Sequence, residues 1–194
     1  MLVLAATLLG VNRSLPVQAQ GGPSSGGVTV EFNATVGGGV AQSVFNSAGD
    51  RQILTTGLAV GWFLGEPPPP GQKPGGFEIL IELVPTLVVY QSEPVWGAGI
   101  MPVAFRWTSR RQGVAPYIEW AGGFLNMRGA VPEGTAQRNF MTHLGTGLRI
   151  PVRGAAELLV AYRLHHISNG NTVDRNPGVN SHTVQMGVAW RPIR

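Results

Sequence analysis

Long segments in which apolar and polar residues alternate are the feature that most constrains this fold. In the first, Val30, Phe32 and Ala34 alternate with Glu31 and Asn33. Alternation at period 2 is typical of a β-strand with one face in an apolar environment. Residues typical of turns separate this segment from seven more of similar character. The eight predicted strands cover residues 28–40, 51–64, 77–91, 95–108, 114–126, 137–151, 157–168 and 181–193.

The length and low charge of these segments favour a membrane environment. Several contain 12 to 15 residues, whereas strands of globular proteins usually have about 5–6 and a strand that crosses a bilayer needs about 9–11. Only 12% of the residues are charged, against about 25% in an average soluble domain. We therefore predict an all-β protein, an eight-stranded antiparallel up-and-down transmembrane β-barrel.

The distribution of charge between the two strand faces predicts which face lines the lumen. The more polar faces carry five glutamates and four arginines, namely Glu31, Glu78, Glu82, Glu119, Glu157, Arg106, Arg149, Arg163 and Arg191. We expect these to form an ion-paired interior and the apolar faces to contact lipid. In the third strand, the period places Leu87 and Val89 on the lipid face and Tyr90 in the lumen. A soluble lipocalin-like barrel, the alternative, would reverse the two faces.

Three regions follow from the sequence. Residues 1–19 resemble a cleaved signal peptide, with an apolar run and Ala19 at a small-residue cleavage site. Residues 20–27 form a Gly/Ser linker, and residues 28–194 form the barrel. With the N-terminus in the periplasm, the links at 41–50, 92–94, 127–136 and 170–180 face outward.

Composition excludes several classes of function. The chain has no cysteine, which excludes thiol catalysis and disulfides. No run of Lys and Arg indicates nucleic-acid binding, and no His/Asp/Glu spacing indicates a metal site.

The end of the seventh strand carries a pair suited to nucleophilic chemistry. His166 and Ser168 share the apolar face, with Cα atoms about 6–7 Å apart. An imidazole beside a hydroxyl is the arrangement that acyl transfer requires. In the predicted topology the pair lies in the outer leaflet, where an ester of a membrane lipid can reach it.

His166-Ile-Ser-Asn169 and Asn176-Pro-Gly-Val-Asn180, with the closing strand, resemble the lipid A 3-O-deacylase family, the PagL-type acyloxyacyl hydrolases. The specific resemblance covers Tyr162 to Trp190. It implies an eight-stranded barrel of the Gram-negative outer membrane with Ser168 as nucleophile and His166 as general base. It also implies that Asn169 and the neighbouring Gly170 support the oxyanion.

One position departs from the family pattern. The family has an acidic glutamate twelve residues after the serine, and Asn180 stands there. An amide orients the histidine by hydrogen bonding but adds no charge. Asp174 is a candidate substitute acid, and His182, on the same face as Asn180, is either part of the site or a histidine at the membrane interface.

The sequence thus leads to two functional hypotheses. In the first, the protein is an outer-membrane serine esterase that releases a 3-hydroxyacyl chain from lipid A of lipopolysaccharide, without a cofactor. In the second, it is a non-catalytic barrel with a structural or adhesion role, which the missing glutamate favours. Beyond lipid A and outer-membrane lipids, the sequence leaves open whether two copies pair as a homodimer.

Overall fold

The computed structural model describes residues 29–64, 75–109, 113–152 and 156–192. The predicted signal peptide, the linker and most of the 65–76 link lie outside these residues. No helix long and apolar enough to cross a membrane occurs in the described ranges.

Eight antiparallel strands close into one barrel in which each strand pairs with its neighbours in sequence and β1 pairs with β8. The strands are β1 (Val30–Gln42), β2 (Gln52–Leu64), β3 (Gly76–Tyr90), β4 (Val95–Thr108), β5 (Ala115–Met127), β6 (Arg138–Pro151), β7 (Ala156–Ser168) and β8 (Val179–Trp190). The predicted all-β, up-and-down barrel is confirmed. We call the end that carries the links 43–51, 91–94, 128–137 and 169–178 the loop end.

The predicted assignment of β3 residues to the lumenal and lipid faces is wrong beyond Pro85. Leu87 and Val89 are fully buried inside the barrel, whereas Tyr90 is exposed on the outer face. Pro85 has no N–H for the ladder, and the pairing with β4 shifts between Val84 and Leu87. Such a bulge adds one residue to the strand, so every following side chain changes face.

The lumen is filled by two kinds of side chain. The predicted ionic residues are inside: Arg106 contacts Glu119 at 3.0 Å and Glu78 at 3.4 Å, and Arg163 contacts Glu119 at 2.7 Å and Glu82 at 3.1 Å. Apolar side chains close the lumen nearer the loop end; they include Ile53, Leu87, Val89, Met101, Leu125, Met127, Met141, Ile167 and Val179. This packed interior lies directly behind the wall at the end of β7, where Ile167 and Met141 are buried.

The outer face is apolar and carries two aromatic bands. Trp107 and Trp190 are exposed at the end opposite the loop end, while Trp96, Phe124 and Phe140 are exposed near the loop end. The 13 residues of β7 are about 43 Å long, and a strand tilted by about 40° crosses about 33 Å of membrane. We therefore expect Ser168, the last residue of β7, to lie at the membrane boundary.

Candidate active site on the outer wall

The site is built where β7 ends and β8 begins. His166 pairs across the sheet with Asn180, and Ser168 pairs with Phe140 of β6. Ile167 is fully buried in the lumen, and strand alternation therefore turns His166 and Ser168 to the outer wall. This agrees with the burial pattern, in which His166 is exposed and Ser168 is half-buried.

A hydrogen bond between neighbouring strands orients His166. Its Nδ1 lies 2.6 Å from Asn180 Oδ1. The amide cannot be reversed without loss, because Asn180 Nδ2 donates to the carbonyl oxygen of Val44 at 3.1 Å. Since Oδ1 only accepts, Nδ1 must carry the proton and donate it. In the neutral imidazole the other ring nitrogen, Nε2, then carries no proton and is available as a base.

Ser168 and His166 border the same small space beside Gly178. A methyl group placed on Gly178 would lie 3.2 Å from His166 Cε1 and 3.8 Å from Ser168 Cβ. Among the described residues, Ser168 Oγ makes no hydrogen bond to the imidazole. Serine–histidine contacts of this kind are often long until substrate binds.

The β7–β8 loop is held by asparagine side chains. The Asn169 amide donates from Nδ2 to the Arg175 carbonyl at 2.8 Å and accepts from Asn171 N–H at 2.8 Å. The Asn169 backbone N–H donates to Asn176 Oδ1 at 3.0 Å. Asn169 is 1% exposed, so most of its hydrogen-bonding capacity serves the loop. Gly170 N–H, by contrast, donates to no acceptor in the described part of the chain.

Two other sequence candidates lie apart from the Ser168 hydroxyl. Asp174 is exposed in the loop and has no contact with His166 in the described structure, where Asn180 already occupies Nδ1. His182 lies two residues further along β8 and contacts the Tyr162 hydroxyl through Nδ1. His143 and His165 stack inside the barrel, with ring centroids 5.2 Å apart, and do not reach the outer wall.

Sequence reasoning missed three contributors to the site. Asn176 holds the loop, and the only signal for it was its place in the Asn176–Asn180 motif. Gly178 leaves room for the imidazole and has a positive φ of 69°. Val44 fixes the Asn180 amide, and Ala48 N–H of the same β1–β2 link donates to the Gly178 carbonyl at 3.0 Å. Nothing in the sequence around residue 44 indicates this long-range contact.

The described residues include no group of three or more His, Cys, Asp or Glu side chains that could hold a metal ion. The outer wall offers a hydroxyl, an imidazole oriented by Asn180 and loop amides.

Comparison with solved structures finds barrels of the same kind. The structure titled as the outer membrane enzyme PagL has 17% sequence identity and a TM-score of 0.59; the match covers 83% of this chain and 99% of that chain. The Neisserial surface protein A has 15% identity and a TM-score of 0.61, with 86% of this chain and 99% of that chain covered. At these identities the likeness shows the fold, and it agrees with the predicted location in the Gram-negative outer membrane.

No curated protein matches the chain. Comparison with protein families is more specific: residues 80–189, more than half of the chain, match the family described as lipid A 3-O-deacylase (PagL). The matched range contains both loop motifs and every residue of the outer-wall site except those of the β1–β2 link. The chain therefore belongs to the lipid A 3-O-deacylase (PagL) family.

Proposed function

We propose that this protein is a serine esterase that hydrolyses an acyl ester of lipid A in the outer leaflet, releasing a 3-hydroxyacyl chain. The observation that carries the proposal is the 2.6 Å hydrogen bond from His166 Nδ1 to Asn180. It leaves Nε2 basic beside a serine at the membrane boundary, where the ester linkages of lipid A lie between the sugar and the acyl chains.

In the first step, His166 Nε2 removes the proton of the Ser168 hydroxyl, and Oγ attacks the ester carbonyl carbon. The tetrahedral intermediate then collapses. The bond between the acyl carbon and the sugar oxygen breaks, and the imidazolium returns the proton to that oxygen. The products are a sugar hydroxyl and an acyl group on Ser168.

In the second step, His166 Nε2 removes a proton from water, and the resulting hydroxide attacks the acyl-enzyme. The bond from Oγ to the acyl carbon breaks and Ser168 regains its proton from the imidazolium. The free fatty acid leaves along the lipid face. Neither step needs a cofactor, and every group involved comes from one barrel.

The loop supplies the donors that such a reaction needs for its oxyanion. Gly170 N–H is the stronger candidate because it is unused in the described structure and follows the nucleophile by two residues. Asn169 N–H is already donated to Asn176 at 3.0 Å. The second hydrogen of Asn169 Nδ2 is its remaining contribution. One oxyanion donor is worth about 10²–10³ in rate.

Asn180 takes the place of the family acid in orienting the imidazole. It holds the productive tautomer and the ring position, but it cannot stabilise the imidazolium by charge. Asp174 is left out of the proposed site because Asn180 occupies Nδ1. We therefore expect a working enzyme whose turnover is limited at the proton-transfer steps.

The test is release of fatty acid from purified lipid A by the wild-type protein and by Ser168→Ala, with both products measured by mass spectrometry. Ser181→Ala is the matched control, because Ser181 lies next to Asn180 but is 2% exposed and faces the lumen. Loss of release in Ser168→Ala alone supports the proposal. Equal release by all three proteins contradicts it.

A non-catalytic barrel is the second candidate, and Asn180 in place of an acid is the observation that favours it. In that case wild-type protein leaves the mass of lipid A unchanged. The oriented imidazole argues against it, because a purely structural wall has no need of a histidine held in one tautomer.

A further inference from the structure

One charged side chain faces outward from the barrel wall, and it lies beside the proposed nucleophile. Among the strand residues that the structure describes, Arg138 is exposed, whereas every other Asp, Glu, Lys or Arg is buried in the lumen. Its neighbour Asn139 is 4% exposed and faces the lumen, so strand alternation turns Arg138 to the outer face. A charge on the lipid face is costly except near the headgroups. Arg138 is therefore a side chain that calls for an external partner.

The register places Arg138 close to Ser168 on the side of the lipid headgroups. Ser168 pairs with Phe140, and Arg138 is two residues, about 6.6 Å, from Phe140 toward the loop end. Diagonal neighbours of this kind are about 7–8 Å apart. When an ester carbonyl lies at Ser168, its acyl chain extends toward the membrane centre and its sugar toward the loop end. The guanidinium of Arg138 is thus on the sugar side of the ester.

A second guanidinium and an amide lie next to Arg138. Asn126 of β5 pairs with Arg138 across the sheet, and Arg128 follows two residues further toward the loop end. Both are exposed. The guanidinium of Arg128 lies 4.9 Å from the centre of the Trp96 ring, and such stacking leaves the N–H groups on its edge free to donate. Trp96, Asn126 and Arg128 line a groove of about 550 Å³ on the outer wall.

Neither of these two arginines is neutralised by the protein. In the ranges that the structure describes, no carboxylate forms an ion pair with Arg128 or Arg138, and neither guanidinium donates a hydrogen bond. The lumenal arginines, in contrast, all contact glutamates, namely Arg106, Arg149, Arg163 and Arg191. Glu133, in the link between β5 and β6, lines a separate cavity with Glu93. The outer wall therefore offers two unpaired cations and an amide to an external anion.

We propose that Arg138 and Arg128, with Asn126 between them, bind a phosphate group on the sugar backbone of lipid A and hold its ester at Ser168. This inference rests on the proposed function, which brings the ester carbonyl to Ser168. A phosphate on the sugar that carries the ester lies about one ring width from it, on the side where Arg138 stands. Guanidinium groups bind phosphate oxygens through paired, charge-assisted hydrogen bonds.

The placement of the arginines favours the phosphate of the substrate over that of a bulk phospholipid. Arginines that only anchored the barrel in anionic lipid would be useful anywhere around its rim. Among the described strands, however, the only outward-facing charge is on β6, next to the strand that carries His166 and Ser168. The two arginines are positioning residues in this proposal, because they bind the substrate at a distance from the reacting atoms.

The kinetic experiment compares lipid A with enzymatically dephosphorylated lipid A in mixed micelles. A charge-assisted hydrogen bond corresponds to roughly a tenfold or greater preference in kcat/KM for the phosphorylated substrate. We expect Arg138→Gln to bring that preference close to one, mainly through KM, because the phosphate is bound equally before and during the reaction. Arg138→Lys should keep part of the preference, and Arg128→Gln should lower it. Rates on the dephosphorylated substrate should stay within about twofold.

Glu133→Gln is the control for overall charge, because it changes the charge of the loop end by one unit away from the outer-wall groove. We expect it to keep the wild-type preference. A preference that rises in Glu133→Gln as much as it falls in Arg138→Gln would show that overall charge is responsible, and would overturn the inference.

A binding experiment separates failure of this inference from failure of the proposed function. Ser168→Ala in detergent micelles is titrated calorimetrically with lipid A and with dephosphorylated lipid A, and phosphatidylglycerol is added as competitor. We expect lipid A to bind about tenfold more tightly, and this difference to disappear when Arg138→Gln is added. Equal affinities, or equally strong competition by phosphatidylglycerol, overturn the inference. Phosphate-dependent binding without ester release by the wild-type protein would reject the esterase and keep the phosphate site.

Discussion

Replacing Asn180 with alanine tests the feature on which the proposed mechanism depends. The substitution removes the oxygen that lies 2.6 Å from His166 Nδ1 and the donor to Val44 at 3.1 Å. The ring then loses both its orientation and its fixed tautomer. The backbone pairing of β7 with β8 is untouched, because the side chain lies on the outer wall.

The size of the effect follows from when the bond is strongest. Hydrogen bonds to charged groups are worth about 1.5–3 kcal/mol, and the imidazole is charged only after it has taken the serine proton. Each 1.4 kcal/mol changes a rate tenfold. Because Asn180 is half-buried and partly screened, we expect kcat to fall by about 10- to 100-fold. KM should change little, since the charged imidazole is absent in the ground state.

The assay is initial-rate fatty-acid release from lipid A in mixed micelles. Ser181→Ala serves as the control, and heat-dependent gel mobility verifies that each barrel is folded. If Asn180→Ala keeps kcat within twofold of wild type while the barrel is folded, Asn180 does not orient the base. The tautomer argument would then have to be abandoned.

Three further outcomes are expected. Asn180→Asp keeps the acceptor for His166 Nδ1 and adds a negative charge, but it loses the hydrogen bond to Val44. The Coulomb attraction to the imidazolium is worth up to about 4 kcal/mol; it is screened at this boundary and offset by about 1 kcal/mol for the lost hydrogen bond. This should raise kcat about tenfold, and a lower kcat would contradict this. Gly178→Ala places Cβ 3.2 Å from His166 Cε1 at a φ of 69°, a backbone conformation in which a side chain costs about 1–2 kcal/mol. Ester release should drop although the barrel stays folded. Full activity would show that the imidazole ring has room to move. Glu119→Leu leaves Arg106 and Arg163 without the carboxylate that both contact. We expect the free energy of unfolding, measured with urea, to fall by about 3–5 kcal/mol. An unchanged unfolding midpoint would mean that the remaining glutamates compensate.

The barrel was predictable because its rules are local. The residues of a strand alternate between two faces, and nearly all the charged residues of the strands fall on one of them, as the burial of Glu31, Glu119 and Arg163 confirms. The prediction failed where a local rule was interrupted. Beyond Pro85 the bulge adds one residue, and Leu87 and Val89 enter the lumen. The alternation of apolar and polar residues in the sequence does not reveal such a shift in register.

The site, like the barrel, was predictable from the sequence only in part. The sequence alone determined that His166 and Ser168 share a face, because two residues separate them on one strand, and the motif pointed to Asn180. Only the tertiary structure decided which hydrogen bonds orient these groups. Val44 reaches Asn180 because β1 closes the barrel beside β8, and Tyr162 meets His182 because of the β7–β8 register. Strand alternation is a property of neighbouring residues, whereas contacts between segments far apart in the chain depend on barrel closure and register, which no single segment specifies.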